Sequence, residues 1–143
     1  MSRQITNNEF FTDINLAKSG FELENPNQIV IDKNAGHFIW GVIALEYKIS
    51  KGIDRETALD QIFMVELFED NCIQGIKNLY GEGDIEVLKD NNRPENLKGP
   101  GLIAMFKHNG KLITNCVQAD ALKYKWNFGN DNTIIDPLDL FEF

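Results

Sequence analysis

Three carboxylates, Glu66, Glu69 and Asp70, fall within five residues in the stretch VELFEDN, Val65 to Asn71. Acids clustered in this way can act as an acid/base pair, hold a cation, or face a basic partner. With helical residues turning by about 100° each, Glu66 shares a face with Leu59, Ile62 and Phe63. Glu69 falls between that face and the one carrying Cys72, Ile73 and Ile76. One straight helix from Arg55 to Tyr80 would therefore bury two carboxylates in its apolar stripe, a costly arrangement unless they were paired or neutralised. Two geometries avoid that cost. The helix can break near Asp70-Asn71, both good N-cap residues, or the stripe can open into a cleft. The break is the expected outcome, because it also sets the charge of Asp70 favourably at a helix N-terminus.

Few other groups could do chemistry. The histidines are His37, at the start of a helix, and His108, beside a hairpin tip. Cys116 follows His108 across that hairpin and could form a Cys–His nucleophile, but no third residue is identifiable to orient the pair. Cys72 and Cys116 are too few and too far apart for a metal knuckle or disulfide framework, and read as buried thiols of a reducing compartment. Metalloprotease, redox, serine-hydrolase and P-loop motifs are all lacking. Gly81-Glu82-Gly83-Asp84 lacks the lysine of a phosphate loop and the spaced ligands of a calcium loop, and reads as a helix stop. No catalytic residue, metal or cofactor is expected.

The elements that must position these residues follow from periodicity. Thr6-Asn-Asn-Glu9 is a capping-box pattern, and Phe10, Ile14 and Ala17 continue it as a short amphipathic helix to Gly20. Gln28 to Asp32 is β-prone and bounded by Pro26 and Asn34. Residues 35–51 are apolar nearly all round, which marks a central helix. Gly52 ends it, and Asp54 caps a second long helix in a tight αα-hairpin, running to the stop at Gly81.

Beyond Gly83 the period shortens to that of strands. Ile85 and Val87 suggest one strand, and residues 90–101 an irregular loop. Asn109-Gly110 is a strong hairpin signal between the runs 102–107 and 111–116. Leu122, Tyr124, Trp126 and Phe128 alternate with polar residues as a further strand, and Gly129 to Asn132 turn the chain toward Thr133-Ile-Ile135. The expectation is a single α+β domain over residues 1–143, with a helical N-terminal half, an αα-hairpin, packed on a C-terminal antiparallel β-meander.

Composition limits the function classes. Of 143 residues, 22 are acidic and 14 basic, a net charge of −8. That balance argues against nucleic acid, which is held by Lys and Arg. The lysines of LKYKWNF are too few to alter this, and its aromatics read as the core side of a strand. The longest apolar run, Phe38 to Leu45, is far too short for a membrane span, and MSRQITNNEFF has no apolar signal region, so a cytoplasmic location is expected. In the tail, Leu138-Asp139-Leu140-Phe141 resembles the core of peptides that bind the bacterial sliding clamp, of the form Q-L-[SD]-L-F, with Pro137 at the glutamine position.

The leading expectation is a non-enzymatic protein-binding module. Small size, acidity and the lack of catalytic motifs resemble, in type, the bacterial immunity proteins that neutralise a basic toxin. Glu66, Glu69 and Asp70 would then meet the partner, with Asp136, Asp139 and Glu142 as a second patch. The alternatives are a small enzyme or ligand-binding domain with a carboxylate-lined cleft at Glu66/Glu69 or Cys116/His108, and a phage-type accessory protein docking through its C-terminal peptide.

Overall fold

The structure, a computed structural model, describes residues 23–89 and 99–126, with the backbone of residues 134 and 135. The expected helix over Thr6 to Gly20, most of the loop 90–101, and the tail with Asp136, Asp139 and Glu142 lie outside the described residues.

The chain runs β1 (Ile29–Asp32), α1 (Ile39–Ser50), α2 (Arg55–Asp60), β2 (Ile62–Glu66), α3 (Glu69–Tyr80), β3 (Ile85–Leu88), β4 (Leu102–His108), β5 (Lys111–Ala119) and β6 (Ile134–Ile135). The strands form one mixed sheet in the order β3-β4-β5-β2-β1-β6. An antiparallel meander, β3-β4-β5, is present as expected. It continues into parallel pairs: β5 with β2, β2 with β1, and β1 with β6. The class is α+β, and the meander is half of a larger sheet.

The second expected helix is where sequence periodicity misleads. Residues 55–80 form not one helix but α2, β2 and α3. Asp54 does cap α2, its Oδ2 accepting the amide of Thr57 at 3.0 Å. The helix then stops after six residues, and Ile62-Phe-Met-Val65 runs through the middle of the sheet. A strand with neighbours on both edges and cover on both faces has a nearly continuous apolar run, which fits a helical wheel equally well. The expected break is present but falls earlier, at Leu67-Phe68, so that α3 starts at Glu69 with Phe68 as its N-cap and Asp70 and Asn71 lie inside the helix.

Each strand sends alternate residues to opposite faces. Val30, Ile62, Met64, Phe106, Ile113 and Cys116 pack with Val42 and Leu45 of α1, Ala58 of α2, and Ile76 and Leu79 of α3. The opposite face gathers Val65, Met105, Val117 and Ala119 under Tyr124 and Trp126. These two aromatics do not lie on a strand, contrary to expectation. The Asp120 carboxylate accepts the Leu122 amide at 3.0 Å and its carbonyl accepts the amides of Lys123 and Tyr124, which curls the chain off the sheet. Leu122 consequently stands 90% exposed, while Trp126 meets Phe63 edge-on with ring centroids 5.1 Å apart.

The hairpin turn is as its residues require. Asn109 and Gly110 both have positive φ, 51° and 83°, the condition for a type I′ turn. Asn109 also bonds both ways with Asp84, which fastens the tip of the hairpin beside the end of α3. Among the described residues, no helix is long and apolar enough to cross a membrane.

Candidate functional site

Glu66 ends a central strand and its carboxylate turns inward, 3% exposed. One oxygen, Oε1, accepts the amide of Gly36 at 2.7 Å, from the loop after β1. The other, Oε2, accepts the amide of Phe68 at 2.9 Å and Asn71 Nδ2 at 3.2 Å. These donors replace the water that a buried carboxylate loses. Glu66 thus joins the loop after β1, the loop after β2 and the first turn of α3. It is buried, and its acceptor atoms face protein donors rather than a partner.

The other two acids do reach the surface. Glu69 opens α3 and pairs with Lys89 at 3.1 Å, and Asp70 beside it is exposed. Both lie in the first turn of α3, where negative charge is favoured by the unpaired amides of the helix start. Between them and Glu66 stand Leu67 and Phe68, 48% and 63% exposed. A pair of large apolar side chains is thus held in water beside two carboxylates. Gln118, on β5, donates to the Leu67 carbonyl at 2.9 Å and clamps this loop from the third side.

Nothing in the composition of VELFEDN separates its buried acid from its exposed ones. The signal lies in the preceding run, because a strand ending at Glu66 lets the chain reverse direction before Glu69. A break near Asp70-Asn71 leaves Leu67 and Phe68 on the helix before it, and the strand ending at Glu66 instead sets them in the loop that precedes α3.

The cysteine–histidine pair has a different geometry from that of a nucleophile and its base. Cys116 is fully buried on β5 opposite Met64, and burial raises its thiol far above the ordinary range. Cys72, on α3, is also fully buried and raised, by burial first and then by the nearby Glu66 charge. A thiol held protonated in apolar surroundings is a poor nucleophile. His108 is half-buried rather than solvated, its Nε2 lying 2.8 Å from the Gly81 carbonyl. His37 lies in the turn before α1, where its carbonyl accepts Asn78 Nδ2 at 3.0 Å. Among the described residues, no three His, Cys, Asp or Glu side chains converge to hold a metal ion.

One buried cation escaped notice in the sequence. Lys48 is completely enclosed, and its Nζ donates to the carbonyl of Gln28 at 2.5 Å, to Gln61 Oε1 at 2.9 Å and to the Pro26 carbonyl. Its position on the helix face that carries Gly41, Ala44 and Leu45 is the available clue. It fastens the chain entering β1 to the junction of α2 and β2, a structural task. No protein-family model, curated protein or solved structure matches this chain.

Proposed function

We propose that this chain is a non-enzymatic protein-binding module, an acidic inhibitor of the immunity type that holds a basic partner such as a bacterial toxin in the cytoplasm. The observation that carries this reading is the exposure of Leu67 and Phe68 beside Glu69 and Asp70. An aromatic anchor with a charged rim is a common organisation of protein interfaces, in which a few apolar or aromatic residues supply most of the affinity. The net charge of −8 gives the partner its sign. Glu66 belongs to this site as a positioning residue, because its hydrogen bond to the Phe68 amide holds the exposed pair in place.

The test uses the product of the neighbouring reading frame as the binding partner, immobilised and exposed to this protein at low and at high salt. Capture that weakens in Phe68→Ser and Asp70→Lys, and falls with added salt, is the expected result. Capture that is indifferent to both variants and to salt would remove this surface and this mode of binding.

A further inference from the structure

At the other end of the sheet, where β2 begins, a cleft of about 290 Å³ opens between α2, the last residue of α3 and the β4–β5 hairpin. That volume lies at the small end of the ~300–1,000 Å³ range of ligand pockets. Its walls carry opposite charges. Glu56 and Asp60, one helical turn apart, line it from α2, and Lys111 lines it from the hairpin. Among the described residues, no ion pair joins Lys111 to either carboxylate.

The floor between these walls is built rather than incidental. Asn115, 7% exposed, uses its Nδ2 on two backbone carbonyls, Leu59 at 2.8 Å and Ile62 at 2.6 Å. Its Oδ1 accepts the Tyr80 hydroxyl at 2.7 Å. With its hydrogen committed to Asn115, the Tyr80 oxygen is fixed as an acceptor. Burial raises the phenol well above its ordinary range, so it keeps that hydrogen at any physiological pH. The His108 ring stands beside Tyr80, with centroids 5.9 Å apart, and it is oriented from behind. A carbonyl can only accept, so Nε2 carries the hydrogen bonded to Gly81 O. Leu59, Leu112 and Ile113 supply apolar lining.

We propose that this cleft binds a small amphoteric molecule of the α-amino-acid class. Its ammonium group meets Glu56, Asp60 and the Tyr80 oxygen, and its carboxylate meets Lys111. A side chain of modest size lies against Leu59 and Ile113. A molecule carrying both charges bridges walls that do not pair with each other, whereas a purely anionic or cationic one meets like charge on one side. This site is separate from the Leu67–Asp70 surface and does not rest on the partner-binding reading.

The experiment is a ¹⁵N-correlation NMR titration of the full chain, with no partner present, using L-alanine and L-valine against acetate and methylammonium. Saturable shifts confined to residues around Tyr80, His108, Lys111 and Asn115, for the amino acids only, are expected. Lys111→Gln and Asp60→Asn should each weaken the amino acid by about tenfold or more, as loss of one charged contact does. Both positions are exposed, so the variants should keep the wild-type spectrum elsewhere. No saturable shift, equal binding of acetate or methylammonium alone, or binding unaffected by the two substitutions would overturn the proposal.

Discussion

The Glu66 carboxylate is accommodated inside the fold because protein donors supply the hydrogen bonds that solvent otherwise would. The amides of Gly36 and Phe68 and the amide group of Asn71 all point at it. A glutamine there would turn one of its two acceptors into a donor and set it against an N–H. Glu66→Gln is expected to lower the unfolding free energy by about 1.5–3 kcal/mol, the range for hydrogen bonds to a charged group. Urea denaturation measures this, and an unchanged midpoint would mean that the three bonds contribute nothing net. Lys48 has the opposite problem, since its carbonyl partners hold the proton while burial pushes the ammonium down to about 8 from its ordinary 10.5. Below pH 8 the lysine is protonated in both states, so the burial penalty is fully present. Between pH 8 and 10.5 the unfolded chain binds more of this proton, so the Lys48 contribution to stability rises with pH. Cys72, Cys116 and Tyr80, all raised by burial, act in the other direction, because the unfolded chain ionises first as the solution becomes alkaline. The lysine is therefore isolated by comparison with Lys48→Met. From pH 8 to 10.5 the stability of wild type relative to that variant is expected to rise by about 1–3 kcal/mol. Two parallel curves would show that burial leaves the lysine proton unaltered.

The joint between α1 and α3 depends on two residues with unusual backbones or contacts. Phe38 precedes α1 in the left-handed region, φ 64°, and is fully buried. Its ring lies over Gly75 of α3, where an added Cβ would stand 2.4 Å from the ring carbons. Gly75→Ala must displace that ring from a closed core, and a cost of about 1–3 kcal/mol is expected, the usual penalty for overpacking. A thermal melt reads it, and a melt as high as wild type would show that the ring has room to move. This close approach is invisible in the sequence, where Gly75 is an unexplained glycine in a helix. Signals written in backbone chemistry were legible: the Asp54 cap, the Asn109-Gly110 turn and the stop at Gly81. Helix α1 was legible as well, because a segment apolar nearly all round can only be central. What failed was the segment 61–66, whose partners β1 and β5 lie far away in the chain. Its apolar run is the same whether it faces a helix or two neighbouring strands, and only the parallel pairing decides. Tyr124 and Trp126 failed in the reverse sense. Their alternation is real, but Asp120 uses the amides that a strand would need.

At the scale of the whole molecule, the proposed binding surface separates two kinds of energy that kinetics can resolve. The net charge of −8 is spread over the chain and acts at a distance, whereas Leu67 and Phe68 act only on contact. Distributed charge speeds encounter and is screened by salt, with a range of about 10 Å at 0.1 M. A buried aromatic anchor instead sets how long a complex survives. Asp70→Lys should thus lower the association rate and flatten its dependence on ionic strength, with little change in dissociation. Phe68→Ala should speed dissociation by about tenfold or more, as the loss of an interface anchor does, and leave association nearly unchanged. Glu69 is a weaker test of the same idea, because its charge is already opposed by Lys89. Surface plasmon resonance over a series of salt concentrations separates the two effects. If both substitutions changed only the association rate, the apolar pair would not be buried in the complex. Binding would then rest on the acidic surface alone, without an apolar anchor at the start of α3.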